Sequence, residues 1–442
     1  MVGAVAAPDD PAAARGIARR AQSDVYRAGV SGARPAVPTQ PGALEEAARA
    51  ALSPEAFAYI AGGAGAERTV AANRAAFARW QVWPRPLRDV SVRDLGARFL
   101  GVDRPTPLLL APLGVMELAH PDADLAVARA AAAMGVPYVL SNQASVPMER
   151  VAGSVPEGAR LFQLYWSASD ELNASLLRRA EAAGAEAIVV TLDTHLLGWR
   201  TRDLDLGYLP FTRGMGIAQY TSDPVFRELV RARAGSSTGG SKVRVTPKTI
   251  AAGISIARNG AAVTGSPSLR GNLRSPLPRL AVETFLDVFS TPALTWDDLA
   301  KARTWTSLPL ILKGIVHPDD AARAVDEGLD GVWVSNHGGR QIDQSVPTLD
   351  VLPAIVERVA GRVPVVFDSG VRGGADAFIA LALGATMVAL GRPYAYGLGI
   401  AGETGVREVI RNVLAELDVT LGLAGLTAVR DVDTAALRRT DG

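Results

Sequence analysis

The run Ser335-Asn336-His337-Gly338-Gly339-Arg340-Gln341 places a titratable ring three residues ahead of a fixed cation, among glycines. An imidazole takes or gives a proton near neutral pH. A guanidinium can grip a carboxylate through two parallel hydrogen bonds. The glycines let the backbone approach a flat ligand. A second run, Asp368-Ser369-Gly370-Val371-Arg372-Gly373-Gly374, and the later pair Gly391-Arg392 offer backbone N–H groups and two charges, which suit a phosphate. The competing reading of that second run is a pair of ordinary glycine turns with surface arginines. Further polar side chains stand at Ser141, Asn142, Gln143, Gln163, Tyr165, Thr191, Asp193 and Lys313.

Each of these groups closes a short apolar, β-branched run, so the elements that hold them are strands. Eight such runs are expected as strands, at 108–111, 138–141, 161–165, 188–193, 310–313, 332–335, 365–368 and 387–391. Ala-rich amphipathic stretches alternate with them. Asp170 and Pro318-Asp319-Asp320 read as helix starts, and Ala182-Ala183-Gly184, Glu327-Gly328 and Leu383-Gly384 as helix stops. Eight βα units in series predict an α/β fold, a closed parallel TIM (β/α)8 barrel rather than an open sheet. Such a barrel carries its reactive groups at the C-terminal ends of its strands, and the loops after strands seven and eight form its usual phosphate site. All the runs but the first end in polar or charged groups; the first ends in Ala111-Pro112-Leu113-Gly114, which can expose backbone amides instead.

The remaining organisation is coarser. Residues 1–45, rich in Ala, Pro and Gly, are expected to form an N-terminal arm with little core, and 46–442 the barrel domain. Residues 205–292 interrupt the βα count. Their portion 234–271 is rich in Gly, Ser, Thr and basic residues, which suggests a long mobile loop over the active-site mouth or, on the bland reading, a disordered insertion without a catalytic role. The net charge of +1 gives no pointer to nucleic acid or anionic membrane. The absence of cysteine excludes disulfides and thiolate chemistry and fits a cytoplasmic protein. The first residues lack the apolar length of a secretory signal, and the run 378–390 is too short for a membrane span. His120, His195 and His317 show no metal-ligand spacing, so no metal is expected.

The heptapeptide at 335–341 resembles the signature of the FMN-dependent 2-hydroxy acid dehydrogenases and oxidases. The similarity runs from about Tyr26 to the C-terminus and includes, in order, Ala58-Tyr59-Ile60-Ala61-Gly62-Gly63-Ala64-Gly65, Phe162-Gln163-Leu164-Tyr165, Thr191-Leu192-Asp193-Thr194, Lys313-Gly314, Asp368-Ser369-Gly370-Val371-Arg372 and Gly391-Arg392-Pro393. Gly198-Trp199-Arg200-Thr201-Arg202-Asp203-Leu204 and Thr221-Ser222-Asp223-Pro224-Val225-Phe226, with Ser369, are similar to the lactate 2-monooxygenase branch. Ile342-Asp343-Gln344 resembles the oxidases instead.

The resemblance implies FMN as cofactor and a small 2-hydroxy acid and O2 as reactants. It implies that His337 is the active-site base, supported by Asp193, whose charge would favour the protonated imidazole. Arg340 and Arg200 would clamp the substrate carboxylate, with Tyr59 and Tyr165 donating to substrate oxygens. On periodicity alone Tyr59 would be a core aromatic. Lys313 would face the flavin N1–C2=O edge and make the flavin easier to reduce. Ser141, Gln163 and Thr191 would bond the flavin ring, and Pro112, Leu113, Gly114 and Ser335 would also border the cofactor. Asp368, Ser369, Gly370, Arg372, Gly391 and Arg392 would hold its ribityl and phosphate. Gly114, where oxidases carry alanine, would leave room to retain keto acid and peroxide together, leading to oxidative decarboxylation. Lactate is the default substrate, with mandelate-like or longer acids open, since Trp166, Leu196-Leu197, Tyr208 and Tyr220 can reshape the pocket. An oxidase releasing keto acid and peroxide, a dehydrogenase serving a quinone or protein, and a non-catalytic FMN-binding sensor or scaffold are the alternatives. The resemblance also implies a homotetramer or homo-octamer.

Overall fold

A computed structural model describes residues 16–236 and 245–440. Eight parallel strands close into one barrel: β1 (Leu108–Leu110), β2 (Tyr138–Ser141), β3 (Arg160–Tyr165), β4 (Ile188–Thr191), β5 (Leu310–Ile315), β6 (Gly331–Val334), β7 (Val365–Phe367) and β8 (Met387–Leu390). The ring is completed where β8 pairs with β1, Val388 opposite Leu108. All eight fall where the sequence predicts them. Strands of a parallel barrel are buried on both faces, so they appear in sequence as unbroken apolar runs. Leu109, Val139, Leu161, Val189, Ile311, Trp333, Val366 and Met387 fill the interior, with Phe99 packed among them. Their neighbours Leu108, Leu110, Leu140, Val190, Leu312 and Val334 join the larger core. The interior is thus packed solid, which leaves the C-terminal rim as the place for a ligand.

The segment 205–292 is not a long loop. Helices Pro224–Ser236, Pro247–Asn259 and Leu277–Val288, with shorter turns between them, make up most of it; residues 237–244 lie outside the described residues. Two signals inside the Gly- and Ser-rich composition explain the helices. Thr246 and Thr249 form a reciprocal capping box with Pro247 in the first turn. Leu280, Ala281, Thr284 and Phe285 form one buried face of the third helix. This insertion has its own aromatic contacts, with Tyr220 4.8 Å from Phe285 in an edge arrangement.

The N-terminal arm is also more structured than its composition suggests, although its residues 1–15 lie outside the described residues. Helices Gly16–Val30 and Pro41–Ala51 pack on the C-terminal helix Arg392–Leu423. The expected boundary at 45 therefore falls inside a helix, one that starts at a Gln40 cap and buries Leu44 and Ala48. Alanine, the best helix former, accounts for this better than its usual association with featureless arms. No helix among the described residues is long and apolar enough to cross a membrane.

Candidate active site

A cavity opens at the C-terminal end of the barrel. Of the residues picked out from sequence, Tyr59, Pro112, Leu113, Gly114, Tyr165, Arg200, Lys313, His337, Arg340, Asp368, Ser369, Gly370, Arg372, Gly391 and Arg392 all line it. Ser141, Gln163, Thr191 and Ser335 are buried at the adjoining strand ends, Asp193 is half-buried beside them, and none of the five forms its wall. Asp193 and Ser335 instead border a neighbouring cavity that also includes His195. His120 and His317 stand outside both, each accepting a backbone N–H two residues on.

His337 follows β6 with φ at +58°, a left-handed conformation unusual for a side-chain-bearing residue. Its N–H donates to Ser335 Oγ at 3.1 Å, and its Nδ1 lies 2.8 Å from Asp193 Oδ1. Asp193 follows β4 and is seated close to Gly314 of β5, where a Cβ would come within 2.9 Å of its own Cβ. Burial alone would raise its carboxyl, but the charges of His337 and Lys313 and the bond to His337 hold it down at about 2. Burial pulls the His337 imidazole below its ordinary value, against the opposing pull of Asp193. Neutral His337 therefore carries its proton on Nδ1, facing the carboxylate, and leaves Nε2 as an acceptor toward the cavity. The Tyr165 hydroxyl is 3.4 Å from that Nε2.

The buried Arg200 and the half-buried Arg340 flank this pair. Arg340 donates to the carbonyls of Tyr59 and Gly62 at 2.5 and 3.0 Å, and its guanidinium lies 5.1 Å from the centre of the Tyr59 ring. Tyr59 is carried by helix Pro54–Ala61, capped by Ser53. Arg200 donates to Gln341 Oε1 at 3.1 Å. Burial, then the nearby charge of Arg200, brings Arg340 down to about 9. A second pair of arginines repeats the theme. Arg392 donates to the carbonyls of Ile60, Gly338 and Gly62, while burial and then Arg392 bring Arg372 down to about 10. Neither Arg340 nor Arg372 forms an ion pair with a carboxylate among the described residues. Half-buried cations without carboxylate partners mark two places for anions.

Between the two anion sites Lys313 Nζ donates to Ser335 Oγ at 2.9 Å and approaches Asp368 Oδ2 at 3.5 Å. Trp333 Nε1 donates to the same Asp368 oxygen at 3.0 Å. Ser141 Oγ donates to Gln163 Oε1 at 2.9 Å, and the buried Gln163 Nε2 and Thr191 Oγ1 have no partner among the described residues.

Sequence reasoning missed several groups. Thr194 donates to Asp193 Oδ1 at 3.0 Å and lies 3.2 Å from His337 Nδ1, although it stands inside a recognised motif. Met116 and Ile60 line the cavity and give no chemical signal in sequence. Asp203 is buried near Arg340 and Arg200 with Oδ1 unpartnered, and burial raises its carboxyl. Its position three residues after a cap arginine was the available clue.

The family model described as FMN-dependent dehydrogenase matches residues 48–439. The chain belongs to that family. An FMN-dependent alpha-hydroxy acid dehydrogenase of Penicillium citrinum is 39% identical over 419 residues, covering 95% of each chain. An L-lactate oxidase of Lysinibacillus sphaericus is 38% identical over 404 residues, covering 90% of this chain and 92% of that one. A crystal structure of mandelate oxidase with (S)-4-hydroxymandelic acid superimposes with a TM-score of 0.73 at 35% identity, covering 92% of this chain and 99% of that one. This member of the FMN-dependent dehydrogenase family is an FMN-dependent 2-hydroxy acid oxidoreductase. The residues present fit the cofactor. A phosphate answers the unpaired Arg372 beside Arg392, and a polar ring edge answers the unpartnered Gln163 and Thr191 atoms.

Proposed function

We propose that the chain oxidises a small L-2-hydroxy acid, lactate being the first candidate, and that the electrons pass to O2. The observation that carries this reading is the buried His337–Asp193 pair opening its Nε2 side to a cavity that also holds Arg340, Arg200, Tyr59 and Tyr165. Bound FMN supplies the acceptor for the electron pair lost by C2 of the acid.

The protein's own part is positioning and proton transfer. Arg340 and Arg200 bind the carboxylate and fix the orientation of C2. Tyr165 and Tyr59 donate to the substrate oxygens. His337 Nε2 accepts the proton released from the acid, and Asp193 stabilises the imidazolium that results. In the same reading Ser141, Gln163 and Thr191 hold the flavin ring and Lys313 places a fixed charge at its edge. Asp368, Ser369, Gly370, Arg372, Gly391 and Arg392 hold the ribityl chain and phosphate.

Gly114 favours a second outcome, oxidative decarboxylation to a shorter acid and CO2, because a side chain is missing where the cavity meets the loop after β1. The test of both is anaerobic mixing with L-lactate and a panel of 2-hydroxy acids, followed by oxygen and product analysis. Bleaching of the flavin absorbance supports the redox reading. Acetate with CO2 selects decarboxylation, and pyruvate with an equal amount of peroxide selects a simple oxidase. A flavin untouched by every acid, or bleached but reoxidised only by a quinone, sinks the proposal.

A further inference from the structure

A second cleft adjoins the catalytic cavity and is the larger of the two. It lies at the C-terminal end of β5, between the loops that follow β4, β5 and β6. Leu294, Trp296, Leu299 and Ile315 supply its apolar wall. Leu299 and Ile315 are buried, and Leu294 and Trp296 are half-buried. An apolar hollow of this kind gains when the apolar body of a ligand displaces its water.

The charged groups of this cleft are of one sign. Asp193 and Asp320 both line it, and no lysine or arginine does. Asp320 stands in the first turn of helix Pro318–Asp326. Its neighbour Asp319 takes Arg358 at 2.9 Å, whereas Asp320 forms no ion pair among the described residues. Arg323, stacked 4.6 Å over the Trp296 ring, is engaged by Glu327 at 2.7 Å. His195 adds an acceptor. Its Nδ1 donates to the Leu192 carbonyl at 3.1 Å, which leaves Nε2 of the neutral ring with a free lone pair. Two carboxylates and an imidazole lone pair call for a positively charged group with several N–H donors, which is what a primary ammonium offers.

Resting on the 2-hydroxy acid reading above for its effect on turnover, we propose that this cleft is an effector site for an amphiphilic primary ammonium ion, an alkyl- or arylalkylamine, with its chain against Leu294, Trp296, Leu299 and Ile315 and its charge beside Asp193 and Asp320. Asp193 is also the carboxylate that holds His337, at 2.8 Å. A second cation beside it disfavours the imidazolium that forms in turnover, so the amine slows the reaction without entering the catalytic cavity.

The test is calorimetric titration of the FMN-loaded enzyme with phenethylammonium. The neutral 2-phenylethanol lacks the charge and ethylammonium lacks the apolar body, so each should bind about tenfold or more weakly. At saturating L-lactate without oxygen, phenethylammonium should slow flavin bleaching severalfold and leave the lactate KM unchanged. Asp320→Asn should weaken amine binding about tenfold. Leu294→Lys, which tethers an ammonium in the cleft, should abolish amine binding and slow bleaching by itself. If either variant fails to fold, as its melting temperature would show, the other variant and the native titrations decide. No heat of binding, equal affinity for 2-phenylethanol, unchanged affinity in Asp320→Asn, binding with no effect on bleaching, or competition between amine and lactate (which would seat the amine in the catalytic cavity) each overturn the proposal. Bleaching by no 2-hydroxy acid at all overturns the underlying oxidation reading instead, while the calorimetry still decides whether the cleft takes an amine.

Discussion

Asp193 Oδ1 and His337 Nδ1 are 2.8 Å apart although 144 residues separate them in the chain, and both groups are buried. The pairing fixes which imidazole nitrogen is free to react. It also sets a pH dependence. His337 is held below 6.5, and the base is the neutral ring, so kcat/KM should be full above that pKa and fall as pH drops through it, with the acid limb below 6.5. Asp193→Asn removes the pull that opposes burial, so the limb should move to still lower pH while kcat falls. His337→Gln should lower kcat by roughly 10²–10⁴-fold. Stopped-flow pH profiles of flavin bleaching check all three; a limb that moves upward in Asp193→Asn contradicts the geometry.

Arg340 should not tolerate lysine. Its Nη1 alone serves two backbone carbonyls, which leaves the other guanidinium nitrogens for a ligand in the cavity it lines, and a single ammonium cannot serve both. Losing one charge-assisted hydrogen bond is worth about 1.5–3 kcal/mol, so Arg340→Lys should lose roughly ten- to 150-fold in kcat/KM. The loss should appear mainly in KM. Steady-state kinetics on one acid decide it.

Arg372 should trade cofactor affinity against stability of the cofactor-free chain. Its Nε is buried without a partner, and Arg392 repels it. Arg372→Met should weaken FMN binding yet leave the melting temperature of the flavin-free protein unchanged or higher. In the native chain FMN at a hundredfold excess over its Kd should stabilise by about 2.7 kcal/mol. Thermal melts with and without FMN provide the comparison, and a lower melting temperature for the flavin-free variant contradicts the argument.

Gly216 joins the insertion to the barrel mouth. Its φ is +68°, and a Cβ there would stand 2.5 Å from Val115 Cγ2 and 3.0 Å from the Gln143 carbonyl. Gly216→Ala should cost about 1–3 kcal/mol through the overpacked contact, and the insertion should be cut faster in limited proteolysis. Equal cleavage rates for native and variant chains would show that the insertion is not held through this turn.

Much of this molecule was legible in its sequence because a parallel barrel leaves plain marks. The strand cores Leu108–Leu110 and Ile188–Thr191 are wholly apolar but for a closing Thr, and Asp193 follows the second at the rim. His337, Arg340, Lys313 and Arg372 could be picked out because charge and spacing stood next to such runs. The helices between 224 and 288 were masked by the Gly-, Ser- and Thr-rich stretch 234–271 that lies among them, although the Thr246–Thr249 cap was there to be read. Asp203 was hidden for another reason. Its importance lies in a carboxyl oxygen left without a partner among the described residues, and no one-dimensional pattern records a missing partner.

The pairing of β4 with β5 bears on how the chain is made. Ile188 meets Leu310 and Thr191 meets Lys313 across a gap of helices in the sequence. During synthesis at about 5–20 residues per second, β4 emerges on the order of 6–24 s before its partner. Throughout that wait the first four strands form a half-sheet with open edges, which invites pairing with another nascent chain. At equilibrium the long connection matters little, because each doubling of a loop adds only about 0.6 kcal/mol of closure entropy. The insertion's burden falls on the clock of biosynthesis, and slower growth temperature or chaperone supply should change the yield of folded protein more than its final melting point.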